Sequence, residues 1–148
     1  MVYNPFTEEL FYGAKGEGAY LNGTPIHVSD QPEFKDAVVS FGSSPYEKNR
    51  AKELFPLFYN IFMNCADFRR TGSAALDLCY VACGRQHAYL EQNLKPWDYS
   101  GATVILREAG GTITDWENKE PPYLENSDIL ACVPQFREIL RRLIKKQV

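Results

Sequence analysis

Three short stretches carry side chains whose types and spacing could do chemistry: Arg69-Arg70-Thr71-Gly72-Ser73-Ala74-Ala75, then Glu91, then Trp97-Asp98. Gly72, Ser73 and Ala74 open a predicted helix. Free N–H groups and the positive end of the dipole make such a terminus able to hold an anion, and small side chains let a phosphate or sugar come close. A small or polar residue at that place also serves as a simple cap. Glu91 closes a predicted strand, where α/β sheets place groups that face a ligand; an isolated glutamate there is otherwise just solvated. Asp98 stands at the start of another predicted helix and suits an N-cap by type and position. One carboxylate oxygen can cap while the other binds a cation. Hard cations such as Mg²⁺ take few carboxylate oxygens and keep water and substrate phosphate for their other positions. A phosphatase needs that arrangement to polarise a phosphoryl group and activate water.

The elements that must position these groups are legible from periodicity. Val2-Tyr3-Asn4 and Leu10 to Ala14 read as antiparallel strands joined by a polar turn. Ala19-Tyr20-Leu21, Asn22-Gly23 and Thr24 to Val28 read as a hairpin, because Asn-Gly suits a type I′ turn. Ala37 to Phe41 is an apolar run bounded by Asp36 and Gly42, as in a buried strand. A helical pattern follows Pro45, and Pro56 should kink or divide it. Ser73 to Cys83 reads as a helix capped by Thr71 or Ser73 and stopped by Gly84. Ala88 to Glu91 is a short strand, and Asp98 opens a helix with Ala102, Ile105, Leu106 and Ala109 on one stripe. Strands at Thr112-Ile113-Thr114 and Ile129 to Val133, and a final helix from Pro134, complete the pattern. This order predicts one α/β domain, a layered mixed β-sheet with flanking helices.

Composition excludes several functions. A net charge of −3, a pI near 5.4 and no basic stripe argue against nucleic acid or an anionic membrane as the main partner. The apolar runs fall short of the roughly 18 residues of a membrane span, and the N-terminus lacks a secretory pattern. Cys65, Cys79, Cys83 and Cys132 form no CxxC pair and have no histidine at zinc-site spacing. Cys79 and Cys83 share a helix face that reads as core, and a reducing, cytoplasmic setting is the simplest expectation.

The sequence Trp97-Asp98-Tyr99-Ser100-Gly101-Ala102, with Glu108-Ala109-Gly110-Gly111 after it, resembles the C-terminal signature of the inositol monophosphatase family. Gly13 to Gly23 resembles the family's G-x-G-A-x-x-N-G hairpin, and Arg70-Thr71-Gly72-Ser73-Ala74-Ala75 its R-x-x-G-[ST]-A-A segment. Glu91 precedes Asp98 by seven residues, the family's spacing between substrate glutamate and metal aspartate. The resemblance covers nearly the whole chain in the right order. It implies that Asp98 is the C-terminal ligand of the second catalytic metal, usually Mg²⁺. It also implies that Glu91 hydrogen-bonds a sugar or inositol hydroxyl, and that Gly72, Ser73 and Ala74 line the substrate pocket. The implied reaction is hydrolysis of a small phosphate monoester. A nucleotide-bisphosphate or fructose-bisphosphate phosphatase is an alternative.

The family's principal metal motif, D-P-[IL]-D-G-T, does not occur in these 148 residues. The chain therefore reads as the C-terminal portion of such an enzyme, with residues 1–30 continuing a sheet of the absent half. Alone it is expected to be inactive, with no catalytic residue beyond the metal ligand; the competing reading is a non-catalytic remnant that binds a phosphorylated sugar or a protein partner. Tyr3, Leu10, Phe11 and Tyr12 are expected to leave an apolar seam that drives self-association or association with the missing half.

Overall fold

Asn22 and Gly23 both take positive φ, 48° and 84°, which is the type I′ geometry their side chains permit. Asn22 adds two bonds: its Oδ1 accepts from Leu10 N–H at 2.8 Å and its Nδ2 donates to the Glu8 carbonyl at 3.1 Å. The turn is thereby tied to the preceding one. In this computed structural model, which describes residues 1–45 and 47–146, these segments form an antiparallel sheet of β1 (Val2–Asn4), β2 (Glu9–Ala14), β3 (Gly18–Leu21) and β4 (Thr24–Pro25). The last strand is shorter than expected. Pro25 has no N–H for the ladder, and Val28 N–H donates instead to the Ala109 carbonyl at 3.0 Å, which draws the chain away from the sheet.

The second sheet is mixed, in the order β6-β5-β7-β9-β8. β5 (Val38–Phe41) lies parallel to β6 (Asp67–Arg69) and to β7 (Ala88–Leu94). β9 (Ser127–Cys132) runs antiparallel to β7 and to β8 (Thr112–Asp115). Between the two sheets sit α2 (Ala74–Ala82) and α3 (Pro96–Glu108). Leu78, Cys79, Ala102, Ile105 and Leu106 there meet Phe11 and Ala19 of the small sheet and Tyr89, Ile129 and Ala131 of the large one. The outer face of the large sheet packs Val39, Leu90, Leu130 and Cys132 against Leu57 and Ile61 of α1 (Ala51–Phe62) and Leu140 and Ile144 of α4 (Arg137–Lys145). The result is a four-layer α/β arrangement, small sheet, helices, large sheet, helices.

Two expectations are corrected here. Pro56 does not divide α1, which runs unbroken from Ala51 to Phe62. Pro56 and Lys52, four residues earlier, are both exposed, so the carbonyl deprived of its donor is left to water rather than buried. Nor do Tyr3, Leu10, Phe11 and Tyr12 form one exposed seam. Phe11 is fully buried and meets Tyr80 of α2 edge-on at 6.1 Å, and Tyr12 stacks on Tyr20 at 5.3 Å. Only Tyr3 of the four is exposed. The conspicuous apolar surface lies on the outer face of α1, where Phe55, Tyr59, Phe62 and Met63 are all exposed.

Candidate active site

The N-terminus of α2 is set by its own small residues. Gly72 takes φ +91°, a left-handed conformation that favours glycine, and turns the chain into the helix. Ser73 is the cap: its Oγ accepts from Leu76 N–H at 3.4 Å. Thr71, the alternative cap, has another task. Its hydroxyl donates to Asp77 Oδ2 at 2.7 Å and accepts from Ser73 N–H at 3.3 Å.

Glu91 does not end its strand, which continues to Leu94 with a register irregularity between Glu91 and Leu94. Strand alternation puts Tyr89 and Glu91 on the face toward α2 and α3. The Tyr89 hydroxyl donates to Glu91 Oε2, and Ser44 N–H donates to Oε1 at 3.4 Å. Burial pushes the Glu91 carboxyl above its ordinary range, and the charge of Asp98 adds to that, while those two donors pull it back. The space Glu91 occupies exists because residue 42 is glycine. A Cβ there would lie 1.9 Å from Glu91 Cδ and 2.0 and 2.2 Å from its two oxygens.

Asp98 is not the N-cap of α3. Lys95 holds that place, Pro96 is the first helical residue, and Asp98 is the third. From there Asp98 Oδ2 accepts from Lys95 N–H at 3.0 Å, so it satisfies an orphan donor by reaching back. Oδ1 has no hydrogen-bond donor among the described residues and stays available. A half-buried carboxylate with one oxygen tied and one free fits a single ligand position of a hard cation. No three His, Cys, Asp or Glu side chains are grouped to hold a metal among the described residues. Asp98 could thus supply one ligand position to such a cation, and the described residues do not supply the others.

The three predicted stretches meet. Gly72, Ser73, Ala74, Glu91 and Asp98 all line one cavity of about 270 Å³, with Arg70, Asp77 and Tyr89 among their neighbours. The cavity presents the start of α2, one guanidinium and carboxylates of three different elements. The sequence profile described as "Inositol monophosphatase family" matches residues 1–148.

The chain belongs to the inositol monophosphatase family. It is 39% identical over 145 residues to Nus factor SuhB of Pasteurella multocida, covering 97% of this chain and 54% of that protein. Against Nus factor SuhB of Escherichia coli K12 it is 38% identical over 135 residues, covering 91% and 50%. The chain therefore spans about half the length of the curated relatives it matches. Among solved structures, the extragenic suppressor protein suhB of Bartonella henselae superposes with a TM-score of 0.90 at 34% identity, covering 99% of this chain and 55% of that one. An inositol monophosphatase from Anabaena gives 0.88 at 35% identity, covering 97% and 57%.

Within this inositol monophosphatase family chain, two sequence motifs turn out to be one device. The Glu108 carboxylate at the end of α3 accepts from Gly16 N–H and Gly18 N–H, each at 3.0 Å, and thereby closes the β2–β3 turn. Those two donors hold its carboxyl below the usual range.

Sequence reasoning missed Arg70, Asp77 and Gly42 as members of the cavity. Arg70 stood inside a quoted motif and was readable as a cation beside a helix N-terminus. Asp77, an acid in the first turn of an otherwise apolar helix, was a weaker signal. Asp77 is only 1% exposed, and burial pushes its carboxyl up despite hydrogen bonds from Thr71 and Gln86. A folded-state value above the unfolded one means that the native state holds the proton longer. Stability from this group is greatest below the ordinary value of 3.8 and is lost as pH rises through the raised one. Asp77→Asn keeps both hydrogen bonds if Thr71 accepts instead of donating. It is expected to raise the urea midpoint at pH 7 and leave it nearly unchanged at pH 3.5. Equal gains at both pH values would refute the burial account.

Proposed function

We propose that this chain is the substrate-holding and second-metal half of a Mg²⁺-dependent hydrolase of small phosphate monoesters, inositol monophosphate being a representative substrate. The observation that carries the reading is the convergence of Glu91, Asp98 and the Gly72-Ser73-Ala74 helix start on one cavity. Glu91 would accept from a substrate hydroxyl, with its carboxyl oriented by the Tyr89 hydroxyl and Ser44 N–H. The N–H groups ahead of α2 would face the phosphate, with Arg70 nearby as a counter-charge. Asp98 Oδ1 would hold Mg²⁺, which when bound polarises the phosphoryl group and the attacking water. The remaining carboxylates would come from a D-P-[IL]-D-G-T segment that these 148 residues do not contain.

The assembly reading follows the same lines. Residues 1–30 would extend a sheet of that other segment through the edge of β1, and the exposed Phe55, Tyr59, Phe62 and Met63 face supports self-association. Four free cysteines suit a reducing, cytoplasmic setting. No helix among the described residues is long and apolar enough to cross a membrane.

Phosphate release from inositol monophosphate should be undetectable with this chain alone at any Mg²⁺ concentration. It should appear when the chain is joined to a family segment carrying D-P-[IL]-D-G-T. Release from the chain alone would show that the other half is dispensable. Silence from the joined protein would discard the hydrolase reading in favour of a non-catalytic module that binds a phosphorylated sugar or a protein.

A further inference from the structure

Four polar side chains form a line of hydrogen bonds that starts in the core and ends at the start of α2. The Ser40 hydroxyl on β5 donates to Gln86 Oε1, and Gln86 Nε2 donates to Asp77 Oδ1 at 3.2 Å. The Thr71 hydroxyl donates to Asp77 Oδ2 at 2.7 Å. Ser40, Gln86 and Asp77 are at most 5% exposed, whereas Thr71 and Gly72 lie at the surface.

The surface end of that line is otherwise loosely held. A Cβ on Gly72 would meet nothing within 4 Å, so packing does not restrain the turn. Neither Thr71 nor Gly72 takes part in a backbone–backbone hydrogen bond among the described residues. What remains is Thr71, whose hydroxyl proton goes to Asp77 and whose lone pair accepts from Ser73 N–H at 3.3 Å. The N–H groups of Ala74 and Ala75, first in the helix, have no backbone acceptor among the described residues and are free for a ligand. The Asp77 carboxyl is costly where it stands. Its two donors are a hydroxyl and an amide, neither of them charged, and burial of a carboxylate on neutral donors costs stability. A group held at such a cost points to a role other than folding.

We propose that Asp77 is a positioning residue of the active site: through Thr71 it fixes the Gly72-Ser73 turn and so sets where the free N–H groups of α2 meet the substrate phosphate. The proposal rests on the hydrolase reading for what α2 binds, and on geometry alone for what holds the turn. An ionised carboxylate only accepts, so the Thr71 hydroxyl must donate to it and offer a lone pair to Ser73 N–H. An amide in its place can donate to Thr71 instead, which loosens this order without abolishing it.

In the joined, two-half protein, Thr71→Val and Asp77→Ala should each raise KM for inositol monophosphate about tenfold, the worth of one hydrogen bond, with kcat within about twofold. Asp77→Asn should restore KM to within about threefold of wild type, since it keeps both links. The double variant should have a KM no higher than either single one, because both changes remove the same link. An unchanged KM in either single variant, a loss carried by kcat, or additive losses in the double variant would overturn the proposal. If Asp77→Ala does not fold, Thr71→Val decides, since Thr71 is exposed and valine matches its shape. Were the wild-type joined protein silent, the hydrolase reading would fail by itself. Amide exchange of Ser73 in the 148-residue chain then tests the turn. Exchange about tenfold faster in Thr71→Val supports the positioning role, and exchange at the wild-type rate overturns it.

Discussion

Asp98→Asn is expected to lower Mg²⁺-dependent phosphate release from the joined, two-half protein by at least about a hundredfold, roughly 2.7 kcal/mol of transition-state stabilisation. The local fold is expected to survive. Asparagine keeps an oxygen that accepts from Lys95 N–H, so the first turn of α3 stays closed. The stripe of Ala102, Ile105, Leu106 and Ala109 still anchors the helix in the core. What disappears is the free oxygen itself: with the amide oxygen kept on Lys95 N–H, the position that faced the cation carries an NH₂ group, which cannot ligate a hard dication. A full Mg²⁺ titration of turnover distinguishes this from unfolding. Undiminished turnover at saturating Mg²⁺ would sink the assignment of Asp98 as a ligand.

Gly42→Ala should weaken binding of inositol monophosphate about tenfold to a hundredfold, the worth of a hydrogen bond to a charged group. The added Cβ would sit 1.9 Å from Glu91 Cδ, so the carboxylate must swing away. It then gives up the Tyr89 hydroxyl and Ser44 N–H that orient it. The obstacle meets the end of a flexible side chain rather than backbone, so the fold should tolerate the change better than the site does. Calorimetric binding in Mg²⁺, beside Glu91→Ala as a reference, reads the effect. Wild-type affinity in Gly42→Ala would mean that Glu91 does not need its observed position to hold substrate.

Sequence periodicity exposed most of the scaffold because it reports local geometry. The stripe of α3, the Asn22-Gly23 turn and the apolar run of β5 each follow from the chain's own repeat or φ preferences over a few residues. Two local readings failed for reasons of context. Asp98 looked like an N-cap, yet Pro96, whose fixed φ suits the first helical position, already marked Lys95 as the cap. Pro56 looked like a break, yet its place on the solvent side of α1 leaves the unpaired carbonyl to water.

Side-chain types and motif order, by themselves, were enough to single out Asp98, Glu91 and Gly72-Ser73-Ala74 and to name the family that the chain proved to join. That these residues share a cavity was a matter for the tertiary structure alone. Glu91 and Gly42 are 49 residues apart in the chain, and their contact arises because β5 and β7 lie side by side. Arg50 meets Asp128 across 78 residues, and Glu108 closes a turn 92 residues before it. Backbone preferences act over one or two turns and leave a trace in the sequence, whereas desolvation and close approach depend on which elements pack together.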